Sequence, residues 1–555
     1  MIPTSAMQTH HPAPISPATR KGLRYPWRQS VVLMAGYALL MSVAALFLDS
    51  KFGHLPVIHG YSVFWLFFGW DEPIPLIVLA ALSLLCLRPP VGFFKLMARA
   101  ARRLTPLLDL KQLPWIAAAV VFLASAIGTF SVCLNHPLSM DEYTMDYQAQ
   151  IFASGHQAQV VTKQWMPESE LLRPMYAAFN DDDNTWYPVY LPVYSLIRAG
   201  FTVLHVPFLL NPLLTALGIP LLAGILRHLW PEDRWLHGVG TLLLATCAQF
   251  VVTGMTVFPL TMHLFFNLLW LYCYTKKDSR LWWWCPWIGV VALGIHQPVP
   301  HALFVIPFLF HVLCTRRWWQ TAYFAVIYLA GCYGWYKWLD AWCAQRAQDN
   351  PFQWFNIDST LNLLADSALV LSWVGIFILI LAAYAIIRRK LDSTMAVLSL
   401  VSVVLTMTVY GFFPENQGHG WGYRYIFQEL GCLIIIACAG LRTLRSDFGH
   451  RRAQALVFVS LLASVGLLLV RCGQVRANTL PYAEVSQYLA SLPTDVVIID
   501  NMSIPYAVDF VRNKPDLSNR PLLIASPVSE AAGKDLISRF KVRAVIYKDL
   551  ERFGY

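Results

Sequence analysis

Charge is what this chain of 555 residues most lacks. Only 13% of its residues are Asp, Glu, Lys or Arg and its mean hydropathy is +0.49, where a soluble globular chain carries roughly 25% charge. That scarcity excludes an ordinary soluble enzyme. Period-two segments of barrel-strand length are missing too, which excludes an outer-membrane barrel. There is no GxGxxG and no P-loop, so nucleotide binding is not indicated. The 11 cysteines show no CxxC or paired spacing, which argues against a zinc site or a disulfide framework. Residues 1–26 lack a signal-peptide layout and read as a polar, Pro- and His-rich tail.

What the chain does contain is apolar length. Runs of near-bilayer length fall near 30–48, 72–88, 114–134, 187–206, 208–228, 236–254, 256–275, 283–297, 299–315, 318–338, 362–387, 394–413, 425–443 and 453–471. A helix satisfies every backbone group within its own segment, so the expected class is an all-α polytopic membrane protein. The net charge of +10 sits in clusters that flank these runs, such as Lys95–Arg103, Arg316-Arg317 and Arg388-Arg389-Lys390. Flanking basic clusters mark cytoplasmic loops rather than a nucleic-acid surface. If every run crossed, several clusters would face the wrong side. The conflict disappears if 187–206 fails to cross, leaving about thirteen crossings, a cytoplasmic N-terminus and an outer C-terminal tail.

The expected domains are a disordered cytoplasmic tail (1–29) and two added spans with a basic loop (30–110). A membrane catalytic module (111–471) with an outer loop (135–186) and an extracytoplasmic domain (472–555) follow. In the last, the β-branched runs at Val496–Asp500, Leu522–Ala525 and Val542–Tyr547 alternate with helical stretches near 482–492 and 529–540. That alternation predicts a small parallel α/β domain. Fold alone gives such a domain no function.

The outer loop concentrates the chemistry. Ser139 followed by Glu142 is a capping-box pattern, which explains Glu142 structurally, while Asp141 suits the dipole of the helix that follows. Tyr143, Tyr147 and Ile151 form one stripe on that helix, as expected of a helix lying on the membrane interface. Asp141 and Glu142 are equally suited to activating a hydroxyl. Further along are Lys163, Arg173, the cluster Asp181-Asp182-Asp183 and Trp186-Tyr187-Pro188. Carboxylates can hold a divalent cation, cations can hold a phosphate, and aromatics can stack on a sugar. A solvated turn is the commoner reading of three consecutive aspartates.

Asp141-Glu142 in the first large outer loop, followed by Tyr-Gln-Ala-Gln-Ile-Phe-Ala-Ser-Gly at 147–155, resembles the bacterial polyprenyl-phosphate-dependent glycosyltransferases. These are the GT-C fold enzymes of the protein O-mannosyltransferase and aminoarabinose-transferase type. Tyr187-Pro188 through Pro192 resembles their proline-aromatic segment, and Gly422-Tyr423-Arg424-Tyr425 is similar to their late WG-x-R-Y segment. The resemblance covers roughly 110–445. It departs at Gly294-Ile295-His296-Gln297-Pro298, where many relatives have a threonine-arginine-proline-like turn. His296 and His301 therefore stand either as site residues or as packing histidines, and the extra spans make 1–110 an added module.

The resemblance implies a GT-C-like membrane enzyme in the bacterial cytoplasmic membrane. Such an enzyme moves a sugar from a polyprenyl-phosphate donor to an acceptor hydroxyl or amine on the outer face. Asp141 is the implied base, with Glu142 beside it. Arg424 is the first candidate for the donor phosphate, ahead of Lys163 and Arg198. Asp181, Asp182, Asp183, Tyr187, His296 and His301 are candidates for substrate or metal contacts. No obligatory cofactor is expected, with a divalent metal left open. The expected partners are the lipid-linked sugar, membrane lipids and a glycan, lipid or protein acceptor, without nucleic acid. The rival readings are a lipid or solute transporter or flippase, and an O-antigen-ligase or polymerase-like enzyme. A transporter would carry polar residues in broken helices and an internal repeat.

Overall fold

The computed structural model describes residues 17–52, 63–87, 91–342, 357–413, 417–504, 506–526, 528 and 530–554. Most of them are helical. Among the described residues, six apolar helical stretches are long enough to cross a bilayer: Tyr25–Phe47, Leu113–Ser131, Pro207–Leu229, Ser359–Ile387, Arg424–Phe448 and His450–Ser491. This is an integral membrane protein. Other runs are broken, as at Arg234–Ala245 and Ala248–Thr253, which meet at Thr246-Cys247. The run expected at 187–206 yields only the 11-residue helix Val193–Val203, too short to span 30 Å at about 1.5 Å per residue.

Two expected boundaries move. The first helix begins at Pro17, well inside the stretch expected to be a disordered tail, while residues 1–16 lie outside the described ones. Proline is well placed in a first helical turn, where its missing N–H is not needed. Inside the same helix the carbonyl of Pro26 accepts a bond from Ser30 Oγ at 2.9 Å. The helix expected at 482–492 is not separate either. It is the end of the 42-residue helix His450–Ser491, about 63 Å long at 1.5 Å per residue, which leads directly into the tail domain.

The tail domain forms the predicted parallel sheet, and the loop 135–186 adds a second, antiparallel one. In the loop, β1 (Gln159–Val160), β2 (Ala177–Asn180) and β3 (Thr185–Pro188) lie in the order β1-β3-β2, with Ala177 opposite Pro188 and Asn180 opposite Thr185. In the tail, β4 (Val496–Ile499), β5 (Leu522–Ala525) and β6 (Val542–Val545) are parallel in the order β5-β4-β6.

One expectation about the helix Met140–Ala153 is overturned. Its stripe of Tyr143, Tyr147 and Ile151 does not lie on lipid. It is buried in a core shared with Trp165 and Trp186 of the loop and Val496, Leu522 and Ile524 of the tail sheet. Each such side chain gains roughly 1.5–3 kcal/mol on leaving water, so a partner sheet satisfies the stripe as well as a membrane interface would. Arg539 of the tail adds an ion pair to Glu168 of the loop.

Deeper in the bundle, the N-terminal helices are tied in by a closed polar knot. Glu72 accepts from Arg471 Nη2 at 2.6 Å, from Trp373 Nε1 at 3.0 Å and from Ser372 Oγ. The Arg471 guanidinium lies over the Trp373 ring at 4.4 Å, and its side chain is 0% exposed against 2% for Glu72. Ser372 and Trp373 belong to a π-helical turn, Val370–Gly375. Such a turn inserts one extra residue into the helix and rotates the side chains it carries.

Candidate active site

Asp141 and Glu142 are neighbours in the first turn of the helix Met140–Ala153, yet their surroundings differ. The capping box is present in full: Ser139 Oγ accepts from the Glu142 amide at 3.3 Å, and Glu142 Oε2 accepts from the amides of Ser139 (3.3 Å) and Leu138 (3.0 Å). The other Glu142 oxygen accepts from the Val257 amide at 3.0 Å. Glu142 is thus a buried staple between the outer helix and the 254–259 turn, with both oxygens engaged. Burial raises its pKa, and the three amide bonds oppose that rise without cancelling it.

Asp141 faces the other way. Its Oδ2 meets Arg424 Nη1 at 2.9 Å and its Oδ1 accepts from the Tyr190 hydroxyl at 2.5 Å. Its side chain is 27% exposed, against 12% for Arg424. Burial alone would raise the Asp141 pKa. The Arg424 charge, the bonds from Tyr190 and Arg424, and the charge of His296 reverse that and hold it below the ordinary value. The two adjacent carboxyls are shifted in opposite directions, Glu142 up and Asp141 down.

Arg424 owes its position to a tight loop. The Gln417 side chain accepts from the Arg424 amide at 2.7 Å and donates to the Gly422 carbonyl at 2.6 Å, while the Gln417 carbonyl accepts from Arg424 Nη2. Gly420 lies under the Arg424 side chain: a Cβ there would come 2.5 Å from Arg424 Cδ. Gly422 has φ +68° and a Cβ on it would strike Gln249. The guanidinium rests over Phe258 at 5.0 Å. Its Nε is buried without a hydrogen-bond partner among the described residues.

A third wall comes from the segments around 190 and 296. The amides of Leu191, Val193 and Tyr194 donate to the carbonyls of His296, Gly294 and Ile295 at 3.0–3.1 Å. This stitch sets the His296 ring 5.6 Å from that of Tyr190, and His296 Nδ1 lies 2.8 Å from His263 Nε2. Tyr176 stands 5.7 Å from Tyr190, and its pKa is raised chiefly by the Asp141 charge and then by burial.

The remaining predicted residues lie elsewhere. Arg198 is committed to Asp146 (2.7 Å) and to the Pro207 carbonyl (2.8 Å), inside the packing of the outer helix against Val193–Val203. His301 bonds Asn267 (2.7 Å) and Tyr328 (3.1 Å), as a packing histidine does. Asp181, Asp182 and Asp183 form the exposed turn between β2 and β3. There the Asp182 amide donates to Asn180 and Asp183 accepts from Thr185. Lys163 is exposed at the start of a 3-10 turn, and Tyr187 is buried in β3 opposite Ala178. No group of three or more His, Cys, Asp or Glu suited to a metal occurs among the described residues. Sequence reasoning missed Tyr190, Tyr176, His263, Phe258 and Gln417. Only Tyr190 had a local signal, its place between Tyr187-Pro188 and Pro192.

No family model matches the chain, and no curated protein sequence does either. Among solved structures it is similar to ArnT from Cupriavidus metallidurans in the apo state. The likeness has a TM-score of 0.50 and 13% identity over 76% of this chain and 88% of ArnT. The chain has a GT-C-like fold. ArnT from the same organism bound to undecaprenyl phosphate is also similar, with a TM-score of 0.46 and 14% identity over the same shares. At these identities the likeness establishes the GT-C architecture, and the chemistry has to be argued from the site.

Proposed function

We propose that this chain is a membrane glycosyltransferase that moves a sugar from a polyprenyl-phosphate donor to an acceptor hydroxyl or amine at the membrane surface. One observation carries the reading. An ionised and partly exposed carboxylate, Asp141, is fixed 2.9 Å from a guanidinium, Arg424, on a loop far away in sequence. Glycosyl transfer from a lipid phosphate needs a base for the nucleophile and a cation for the leaving group, side by side. The GT-C-like fold supports a membrane setting for that pair.

In the proposed single displacement, the acceptor oxygen or nitrogen bonds to the anomeric carbon as the bond to the phosphate oxygen breaks. The acceptor proton goes to Asp141, and the electron pair leaves with polyprenyl phosphate. Arg424 meets the negative charge that develops on the phosphate. Tyr190 holds Asp141 in place and favours its ionised form. Tyr176 and His296 line the approach. Asp181–Asp183 and Lys163 take no part in this scheme.

The test is turnover of a labelled polyprenyl-phosphate sugar by the purified chain in membranes. Wild type releases the sugar to an acceptor, whereas Asp141→Asn does so about 10²–10⁴-fold more slowly, the usual worth of a general base. Full activity of Asp141→Asn would remove Asp141 from the role. Movement of the lipid-linked sugar across the bilayer without any glycosidic product would favour transport.

A further inference from the structure

The residues Asp141 and Arg424 are 283 positions apart in the chain. The outer helix carries one and the 417–424 loop the other, so something must fix these two segments relative to each other. We propose that the tail segment 506–513 is that fixture: Asp509 and Arg512 are positioning residues for the Asp141–Arg424 site. The inference deepens the reading of that site as the catalytic one.

The segment reaches both arms of the site. On the Arg424 side, Asp509 Oδ2 bonds His419 Nε2 at 2.9 Å, with both side chains only 7% exposed. The Tyr506 ring flanks His419 at 5.9 Å. On the Asp141 side, the Tyr143 hydroxyl donates to the Asn513 carbonyl at 2.7 Å, and Arg512 lies over the Tyr143 ring at 5.5 Å. Arg512 also reaches the Leu138 carbonyl, three residues ahead of Asp141, at 3.5 Å.

The two contacts are rigidly joined to each other. Arg512 Nε donates to the Asp509 carbonyl at 2.7 Å, and the Asn513 side chain bonds both backbone groups of Leu523 in β5 (2.7 and 2.8 Å) and the Leu172 carbonyl (2.9 Å). A buried polar group that loses its partner is costly, so His419 is held to Asp509. Gly420 and Gly422 lie just beyond it, and the His419–Asp509 contact adds an anchor to the tail domain to the Gln417 bonds within the loop. The tail segment thereby fixes the separation of the base and the phosphate-binding cation.

The test uses the full chain with Asp509→Ala, Asp509→Asn and Arg424→Ala. Asp509→Ala should speed amide exchange in 417–424 by about tenfold while the β4–β5–β6 sheet keeps its protection. It should lower turnover by a similar factor of about ten, and Asp509→Asn, which still accepts a bond from His419, should restore most of both. In an Arg424→Ala background, Asp509→Ala should change turnover by less than about twofold, because the two act in series. Unchanged exchange in 417–424, loss of protection across the whole tail, or a full further loss of turnover in the Arg424→Ala background would each overturn the proposal. If wild type consumes no lipid-linked sugar, the catalytic reading fails, and the exchange measurement still decides whether the segment holds the loop.

Discussion

Two guanidinium–carboxylate pairs, Glu72–Arg471 and Asp141–Arg424, place the same chemistry in opposite settings. In the first, the side chains are 2% and 0% exposed and the carboxylate is closed off by Ser372 and Trp373. In the second they are 27% and 12% exposed, and the pair joins the first turn of one helix to the end of the 417–424 loop. Each arginine has a buried Nε with no hydrogen-bond partner among the described residues. An unfilled donor therefore does not by itself mark a site. What separates the pairs is access: Arg471 is fully buried beneath Trp373, whereas Asp141 is partly exposed. The closed pair should govern stability and the open pair turnover.

That contrast can be broken from either side. The largest effect expected is on chemistry: Arg424→Ala should lower turnover by about 10²–10³-fold, the scale of losing one charge-stabilising donor, with little change in unfolding temperature. At the closed pair the pattern should invert. Arg471→Ala leaves a buried Glu72 uncompensated and should cost about 3–5 kcal/mol in reversible unfolding, while Glu72→Leu with Arg471→Met should recover most of that loss. Asp141→Asn with Arg424→Ala should stay folded and inactive.

Gly420→Ala gives a smaller and more pointed effect. Its Cβ would fall 2.5 Å from Arg424 Cδ, so the guanidinium must swing away from Asp141. Turnover should drop about tenfold, a modest misplacement on the scale where 1 Å can cost about a hundredfold. Steady-state kinetics would report it.

The pH dependence sharpens the contrast further. Arg424, Tyr190 and His296 hold the Asp141 pKa below its ordinary value against the effect of burial. Asp141 therefore stays a base as the pH falls through the range where an ordinary aspartate protonates. Its contribution to stability is present above the unfolded pKa and is lost only as the pH falls through the lowered folded one. The acid limb of kcat/KM should lie below the ordinary carboxylate range, and Arg424→Gln should move it upward. Lys163→Ala, on an exposed turn, should change turnover by less than about twofold, as surface substitutions usually do.

How far the sequence could be read follows the range of the interactions. The capping box at Ser139-Glu142 rests on contacts within four residues, and the three tail strands show as short β-branched runs although their pairing spans 26 to 46 residues. That 187–206 does not cross was expected from the balance of basic clusters, together with its prolines and Arg198. Arg424 was singled out by its place at the start of a span and by the resemblance of Gly422-Tyr423-Arg424-Tyr425 to a family segment. Tyr190 was not, because its bond to Asp141 spans 49 residues and depends on the backbone stitch to 294–296. The stripe of Tyr143, Tyr147 and Ile151 announced burial, but periodicity cannot tell a lipid surface from a β-sheet. For the same reason Arg198 looked available in sequence and is in fact held by Asp146.

Direct titration with undecaprenyl phosphate, comparing wild type, Arg424→Ala and Asp141→Asn, tests the central claim without relying on turnover. Arg424→Ala should weaken binding at least about tenfold, the scale of one charged hydrogen bond. Asp141→Asn should bind as tightly as wild type or tighter, since it removes a negative charge beside the phosphate and releases an Arg424 donor. Equal binding by wild type and Arg424→Ala would contradict the account.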